Sequence, residues 1–443
     1  MSSVTDARAA AAEIAADMRR GDLLDLAFER RAGGLEARDR RWTQELVYGM
    51  LRRRGVIDAW LGNRVRGGLV RLDADVADLL RLGAYQILSM GSVPAYAGIA
   101  QTVEQVKRRH GIGASKLANA VLRRLDRERQ QLDGELLGMA GDPVDILATR
   151  LSHPRWLVAR WIARWGEAET MQLLAANNAE APIVVRPWGI VREQLEAMFD
   201  TAGISHVEAP LVGDGLQLTS PVALAELGAW RQGMFFVQDP AATLVSRYAA
   251  IAPGSTVLDA CAAPGGKALE LSRHAGRVIA ADKSEARLAR VRQNLARLDV
   301  RNVFPAVADA REAPVAPVDA VLVDAPCTGT GTFRRHPDAR WRLKVSDLAV
   351  SASAQRQILR ACADVVRPGG LLIYSTCSLE PEENDQQVEQ FLRDQPEFTL
   401  EPPPPGAVPS VVLDAGRLRV LPQRHGVDGA FAARLRRQES RSA

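Results

Sequence analysis

Apolar positions in the first third of the chain recur at helical spacing. In "RDRRWTQELVYGMLRRRGVIDAWLGNRV" the residues Trp42, Leu46, Tyr48, Leu51 and Ile57 form a stripe, as expected of a helix with one face turned inward. "DARAAAAEIAADMRRG" closes on a glycine stop, and "DVADLLRLGAYQILSMGSVP" repeats the pattern before Gly91 and Pro94. No strand-like alternation intervenes, so the spacing predicts helices from residue 6 to about residue 130. These leucines and aromatic residues read as core, because a stripe of this kind most often faces a neighbouring helix.

A turn-rich stretch, "DGELLGMAGDPVDILATRLSHPRW", predicts a linker. Beyond it come a helix carrying Trp156, Trp161 and Trp165, the extended "APIVVRPW", a helix in "REQLEAMFDTAG" and a strand-like part near "LQLTSPVAL". Together these make a small α+β module. Three tryptophans on one helix can stack on bases, but packing is their commoner use. From residue 255 strands and helices alternate: "STVLDACAAPGGKALELSRHAG", "RVIAADKSEARLARVRQNLARLDV", then the strand ends "NVFPAVADA", "DAVLVDAPC" and "LLIYSTCS". Such alternation predicts a doubly wound parallel sheet with ligands at the carboxyl ends of its strands.

Composition narrows the class. At 443 residues the chain is long enough for two or three domains, and 47% hydrophobic with 25% charged residues is an ordinary globular balance. The first residues lack the apolar run of a secretory signal and no stretch suits a membrane span, so a soluble, cytoplasmic protein is expected. The four cysteines form no Cys-x-x-Cys pair and no His-x-x-x-His accompanies them, which predicts reduced thiols and no metal site. Residues 1–130 hold 23 lysines and arginines against 16 acids, whereas the rest of the chain is slightly acidic. Only five of the 57 cations are lysine, and the arginine fork suits phosphate. The basic end therefore points either to nucleic acid or to a solvated helical surface.

The chemistry sits at strand ends. In "DACAAPGGK" Gly265 and Gly266 let backbone amides approach a ligand at a helix N-terminus. The spacing is neither Gly-x-Gly-x-x-Gly nor a Walker loop, which disfavours a dinucleotide or triphosphate. Asp282 closes the second strand where an acid accepts ribose hydroxyls, and Asp309 closes the third as a candidate adenine contact. Each aspartate also suits a helix N-cap. A nucleoside cofactor without phosphates, S-adenosylmethionine, fits the set.

Two thiols, Cys327 and Cys377, end the next two strands. Methylating an exocyclic nitrogen needs no thiol, but carbon 5 of a pyrimidine becomes nucleophilic only after something adds to carbon 6, and a thiolate is suited to that addition. One cysteine is then the attacker and the other a helper in release; spacing alone does not choose between them. Asp324 would bind the base edge and stabilise developing charge. A free thiol ionises near 8.5, and lowering that to about 7 is worth roughly 2 kcal/mol, for which Lys267, Arg334 and Arg335 are the candidate cations. Cys362 reads as an inert core residue and Cys261 as packing beside the cofactor loop.

With these residues in view the chain resembles the RNA cytosine carbon-5 methyltransferases that carry a NusB-like domain, the Sun or Fmu type (RsmB family) acting on bacterial 16S ribosomal RNA. "DACAAPGGK", "DAPCTGTGTFRRHPDARW" and "YSTCSLEPEEN" look like its cofactor loop, Pro-Cys motif and Thr-Cys motif. "LVYGMLRR", "LRLGAYQIL" and "LANAVLRRL" are similar to its NusB-like part, and "FFVQDPAA" to the start of its catalytic domain. Thr328 stands where many relatives have serine, and "GIAQTVEQVKRRHG" departs from the usual NusB-like pattern.

The resemblance implies three domains: an all-α NusB-like RNA-binding domain over 1–140, a small α+β module over 145–232, and a Rossmann-like methyltransferase domain over 233–438. It also implies that Cys377 is the nucleophile, that Cys327 assists breakdown of the covalent intermediate, and that Cys261, Ala262, Ala263, Pro264, Gly265, Gly266, Lys267, Asp282, Asp309 and Asp324 line the S-adenosylmethionine site. The expected partner is 16S rRNA, naked or early in assembly, met by a monomer. Transfer RNA as substrate, or a scaffold acting through the NusB-like end, are the alternatives.

Overall fold

The helical periodicity of the first third is realised without exception. In the computed structural model, which describes residues 4–313 and 315–439, helices span Asp6–Arg19, Leu24–Ala32, Ala37–Arg52, Arg54–Gly62 and Ala74–Ser89, followed by Ala95–Arg127, interrupted at Gly111. Of the predicted stripe, Leu46, Leu51 and Ile57 are fully buried in one core, and Trp42 and Tyr48 pack on its margin. The Tyr48 hydroxyl donates to Asp25 at 2.7 Å, which satisfies its polar end. The stretch expected to be a linker instead holds two short helices, Leu132–Leu137 and Pro143–Arg150. Asp142 caps the second, accepting the Val144 amide at 2.8 Å, and proline occupies its first turn.

Many of the arginines here are ion-paired within the unit. Arg30 and Arg31 converge on the buried Asp17, Arg64 meets Glu128 and Glu135, and Arg81 meets Asp58 and Asp78.

These helices, with Arg155–Trp165 and Glu167–Asn178, belong to a first unit that ends at Ala179 but also contains Phe333–Arg342. That late segment is held from within. Arg340 is fully buried and donates to the carbonyls of Asn177 (2.8 Å), Phe333 (3.1 Å) and Ser152 (3.4 Å) and to the Asn178 side chain (2.6 Å). The Trp341 indole donates to the Leu51 carbonyl at 2.9 Å, and Phe333 packs with His153 and the buried Trp161. Of the three tryptophans on the Arg155–Trp165 helix, Trp161 is thus core.

The second unit, Glu180–Thr332 with Leu343 onward, holds two sheets. Strands β1 (Val184–Pro187), β2 (His206–Glu208), β3 (Leu216–Leu218) and β4 (Phe235–Val237) form an antiparallel sheet in the order β2-β3-β1-β4, with the helix Arg192–Thr201 contributing Leu195 and Phe199 to its core.

Strands β5 (Thr256–Asp259), β6 (Arg277–Asp282), β7 (Val303–Val307), β8 (Val318–Asp324) and β9 (Val366–Thr376) make the predicted parallel sheet, in the order β9-β8-β5-β6-β7. The near-continuous apolar runs of the inner strands β5 and β8 follow from burial on both faces. Val257, Leu322 and Ile373 point into one core, and Leu258, Val321 and Leu372 into the other, the alternation a strand imposes. Truncating Leu322 or Ile373 to alanine is expected to cost about 2–5 kcal/mol.

The sheet is not purely parallel. Strands β10 (Phe398–Leu400), β11 (Leu413–Asp414), β12 (Arg417–Val420) and β13 (Ala430–Arg437) add an antiparallel extension, with β13 paired along β9. Among the described residues no helix is long and apolar enough to cross a membrane.

Candidate active site

The strand order sets the site. β5 turns outward to β6 while β8 lies on its other side, so the crevice at their carboxyl ends is a topological switch point. The 260–267 turn leaves β5 there, the Cys327 loop leaves β8 and Cys377 follows β9.

The turn after β5 approaches its neighbours closely. Gly265 has φ +104°, a left-handed conformation that glycine adopts readily, and a Cβ there would press on Val291 at 3.2 Å. A Cβ on Gly266 would stand 3.0 Å from the Gln238 side-chain nitrogen. The Ala263–Pro264 peptide is cis. Asp282, at the end of β6, accepts the Ala263 amide (3.3 Å) and the Ser284 amide (2.9 Å), so it shapes the turn while retaining lone pairs. Asp309 is turned toward Arg311, accepting its amide and its guanidinium, and this partner lowers its pKa to about 2.

Among the described residues, two buried polar groups in this crevice have no hydrogen-bond partner of normal geometry. Asp259, fully buried at the end of β5, has no hydrogen-bond partner at either carboxyl oxygen; the Cys261 amide lies near it but outside hydrogen-bonding geometry. Burial, reinforced by the Asp324 carboxylate, raises the Asp259 pKa to about 7. Gln238 accepts from the Thr243 hydroxyl at 2.9 Å, which leaves its buried Nε2 without a partner beside Gly266. An orphaned acid and an orphaned amide donor around a two-glycine turn fit a zwitterionic nucleoside ligand. The pattern pointed to the turn but not to Asp259 or Gln238; the strand-end position of Asp259 was the available signal.

Lys267 follows the two glycines and its Nζ lies 2.7 Å from Asp324 Oδ2. Burial opposes the lysine charge, but Asp324 more than offsets it and holds Lys267 above its ordinary pKa. The register of β8 and β9 pairs Asp324 with Ser375, and the Ser375 hydroxyl donates to Asp324 Oδ1 at 2.8 Å. Asp324 is thereby fixed from two sides.

Three residues past Asp324 and two past Ser375, the Sγ atoms of Cys327 and Cys377 lie 3.3 Å apart. Their loops are joined by backbone and hydroxyls. The Gly331 amide donates to the Cys377 carbonyl (2.9 Å), the Leu379 amide to Thr330 Oγ1 (2.8 Å), and the Gly429 amide to the Gly331 carbonyl (2.8 Å). A Cβ at Gly331 would fall 2.6 Å from that Cys377 carbonyl, so only glycine permits the approach. The hydrogen bond to Cys377, then burial, raise the Cys327 pKa well above its ordinary value. Of the other two thiols, burial raises the pKa of Cys362 to about 12 and likewise pushes Cys261 upward.

The structure thus brings Lys267, Asp324, Cys327 and Cys377 into one group and sets Asp282 against the 260–267 turn, while Asp309 faces Arg311. Arg334 and Arg335, candidate cations for the thiols, lie on the segment that packs within the first unit.

A doubly wound sheet with a glycine turn after its first strand and a thiol pair at two neighbouring strand ends defines a Rossmann-like transferase. Residues 248–436 match the family described as 16S rRNA methyltransferase RsmB/F, residues 5–127 the NusB family, and residues 153–225 the ferredoxin-like domain of RsmF/B-like methyltransferases. The chain is 36% identical over 412 residues to ribosomal RNA small subunit methyltransferase B of Pseudomonas syringae, covering 90% of each protein. It is 34% identical over 416 residues to the protein of the same name in Vibrio cholerae, covering 91% of each. The crystal structure of PH0851 superposes with a TM-score of 0.80 at 26% identity, covering 99% of this chain and 100% of that one. That of a methyltransferase homolog protein from Pyrococcus horikoshii gives 0.58 at 28% identity, covering 67% of this chain and all of that one. The chain belongs to the RsmB/F family of 16S rRNA methyltransferases.

Proposed function

We propose that the protein methylates carbon 5 of a cytosine in 16S ribosomal RNA, through a covalent bond between Cys377 and carbon 6 of the base. The observation that carries this reading is the pair of thiols 3.3 Å apart beside the Lys267–Asp324 ion pair. A methyltransferase acting on a nitrogen or a ribose oxygen has no use for two sulfurs at adjacent strand ends.

Asp259 and Gln238, with the 261–267 turn and Asp282, would hold S-adenosylmethionine, which when bound supplies an electrophilic methyl group. The chain's own residues do the rest. The raised pKa of Cys327 keeps a proton on that sulfur, which leaves Cys377 as the attacking thiol, with the Lys267 cation in the same group. The Cys377 thiolate adds to carbon 6, and the electron pair displaced from the C5=C6 bond makes carbon 5 nucleophilic. Asp324, fixed by Lys267 and Ser375, presents a carboxylate oxygen that accepts from the amino group of the base and orients its ring. After methyl transfer the carbon 5 proton leaves to a base, C5=C6 reforms, and the C6–S bond breaks with its electron pair returning to Cys377. The Cys327 thiol stabilises that departing sulfur by hydrogen bonding.

Residues 1–140 are read as the RNA-binding arm, 145–232 as an accessory module and 233–438 as the catalytic domain.

The test is a denaturing gel for protein–RNA adduct, using 16S rRNA, S-adenosylmethionine, and wild-type, Cys327→Ala and Cys377→Ala proteins. Adduct is expected to accumulate with Cys327→Ala and to be absent with Cys377→Ala. The reverse pattern would make Cys327 the attacker, and methylated product without any thiol dependence would overturn the covalent reading. Transfer RNA in a parallel reaction decides the substrate.

A further inference from the structure

Both peptides flanking Cys327 are gripped by a buried pair of side chains outside the group described above. Glu383 lies on the one-turn helix Pro381–Glu383 and is fully buried. One of its carboxyl oxygens accepts the Thr328 amide at 2.9 Å and the Gln355 side-chain amide at 3.0 Å, and the other accepts the Thr328 hydroxyl. Gln355, also fully buried, donates from the same nitrogen to the Pro326 carbonyl at 3.0 Å. The residue before Cys327 and the residue after it are therefore tied to one carboxyl–amide unit. That unit is itself anchored: the Tyr374 hydroxyl of β9 donates to the Glu383 carbonyl at 2.6 Å, and Gln355 projects from the helix Val345–Asp364.

We infer that Glu383 is a positioning residue that holds the Cys327 thiol against Cys377 for the release step, an inference that rests on the covalent carbon-5 reading. A buried carboxyl is costly, and nothing in the packing of this turn requires one. Three of its hydrogen bonds serve the frame around Cys327, against a single one from Ser378, the residue after Cys377. Its negative charge also adds to the causes that keep the proton on that thiol, after the Cys377 contact and burial. Cys377, by contrast, follows β9 directly and its carbonyl is held by the Gly331 amide. Loss of Glu383 therefore displaces the helper thiol more than the attacker.

The geometry distinguishes Glu383→Ala from Glu383→Gln. In the glutamine variant one oxygen still accepts the Thr328 and Gln355 amides, and the new amide donates to the Thr328 hydroxyl, which can turn to receive it. All three contacts survive. In the alanine variant none does.

The experiment measures, in single turnover with 16S rRNA and S-adenosylmethionine, both covalent adduct on a denaturing gel and released methylated RNA, for wild type, Glu383→Ala, Glu383→Gln, Thr328→Val and Cys377→Ala. Glu383→Ala is expected to form adduct but release product about 10²-fold more slowly. Glu383→Gln should stay within a few-fold of wild type, and Thr328→Val, which loses the hydroxyl contact alone, should lie between. Release at the wild-type rate by Glu383→Ala, or its failure to form adduct while still binding S-adenosylmethionine, overturns the inference. If Glu383→Ala does not fold, Thr328→Val decides: an adduct-to-product ratio equal to wild type overturns it. Product from Cys377→Ala would instead overturn the covalent reading itself.

Discussion

The Cys327 and Cys377 sulfurs stand 3.3 Å apart although fifty residues separate them in sequence. A disulfide bond is about 2.05 Å long, so small loop movements join them. With hydrogen peroxide as oxidant, one thiolate attacks a peroxide oxygen and becomes a sulfenic acid, and the second sulfur displaces water from it to close the bond. Peroxide is expected to consume two of the four thiols, abolish methylation and be reversed by dithiothreitol. Peptide mapping should find Cys327 linked to Cys377, with buried Cys362 untouched; thiol loss at other positions would contradict this.

Asp259 gives a pH dependence with a definite sign. Its folded pKa of about 7 lies above the roughly 3.9 of an unfolded aspartate. Between those values the folded chain holds a proton that the unfolded chain has lost, so this group's contribution to stability declines as pH rises through that window, by on the order of a few kcal/mol. The melting temperature of the ligand-free protein should fall from about pH 5 to about pH 7, and Asp259→Asn should flatten that slope. Thermal melts across this range check it; equal slopes would show that the carboxyl does not carry the effect.

Gly331 is the narrowest point of the site. An alanine Cβ would meet the Cys377 carbonyl at 2.6 Å and Gly429 Cα at 2.7 Å, both backbone atoms that cannot swing aside. Gly331→Ala is expected to lower single-turnover methylation by about 10²-fold through displacement of the Cys377 loop. Binding of S-adenosylmethionine, measured by calorimetry, should be nearly unchanged.

Arg340 holds the first unit's late segment. Burial lowers its pKa to about 9, which leaves it charged at neutral pH. Arg340→Met removes donors from three backbone carbonyls and an amide, and is expected to destabilise the first unit by about 3 kcal/mol. Limited proteolysis should then cut first near Phe333–Arg342.

The parallel core was legible because β5, β8 and β9 carry apolar runs at 257–258, 320–323 and 371–374 that close on or just before an acid or a thiol. The antiparallel extension was not: β11 is two residues long and β10 three, too short for alternation to register. Among the site residues, Asp324 and both thiols stood at strand ends where chemistry is expected, and Lys267 at the helix start after the glycine turn. Glu383 did not stand out, since "SLEPEEN" offers three glutamates and only the one-turn helix decides which faces Thr328. Gln355 sits mid-helix with no local signal, and the packing of Phe333–Arg342 among helices that precede it by some 150 residues leaves no periodic trace.

Because that segment belongs to the first unit, the order of synthesis matters. A nascent chain that has emerged only to Ala179 lacks Phe333, Arg340 and Trp341, and the pocket that receives them stays open while roughly 160 further residues are made. At ~5–20 residues per second this interval lasts about 8–30 s. The helical unit is therefore completed only after β8 and the Cys327 loop have been made, and the second unit, which needs β9 and β13, is completed later still.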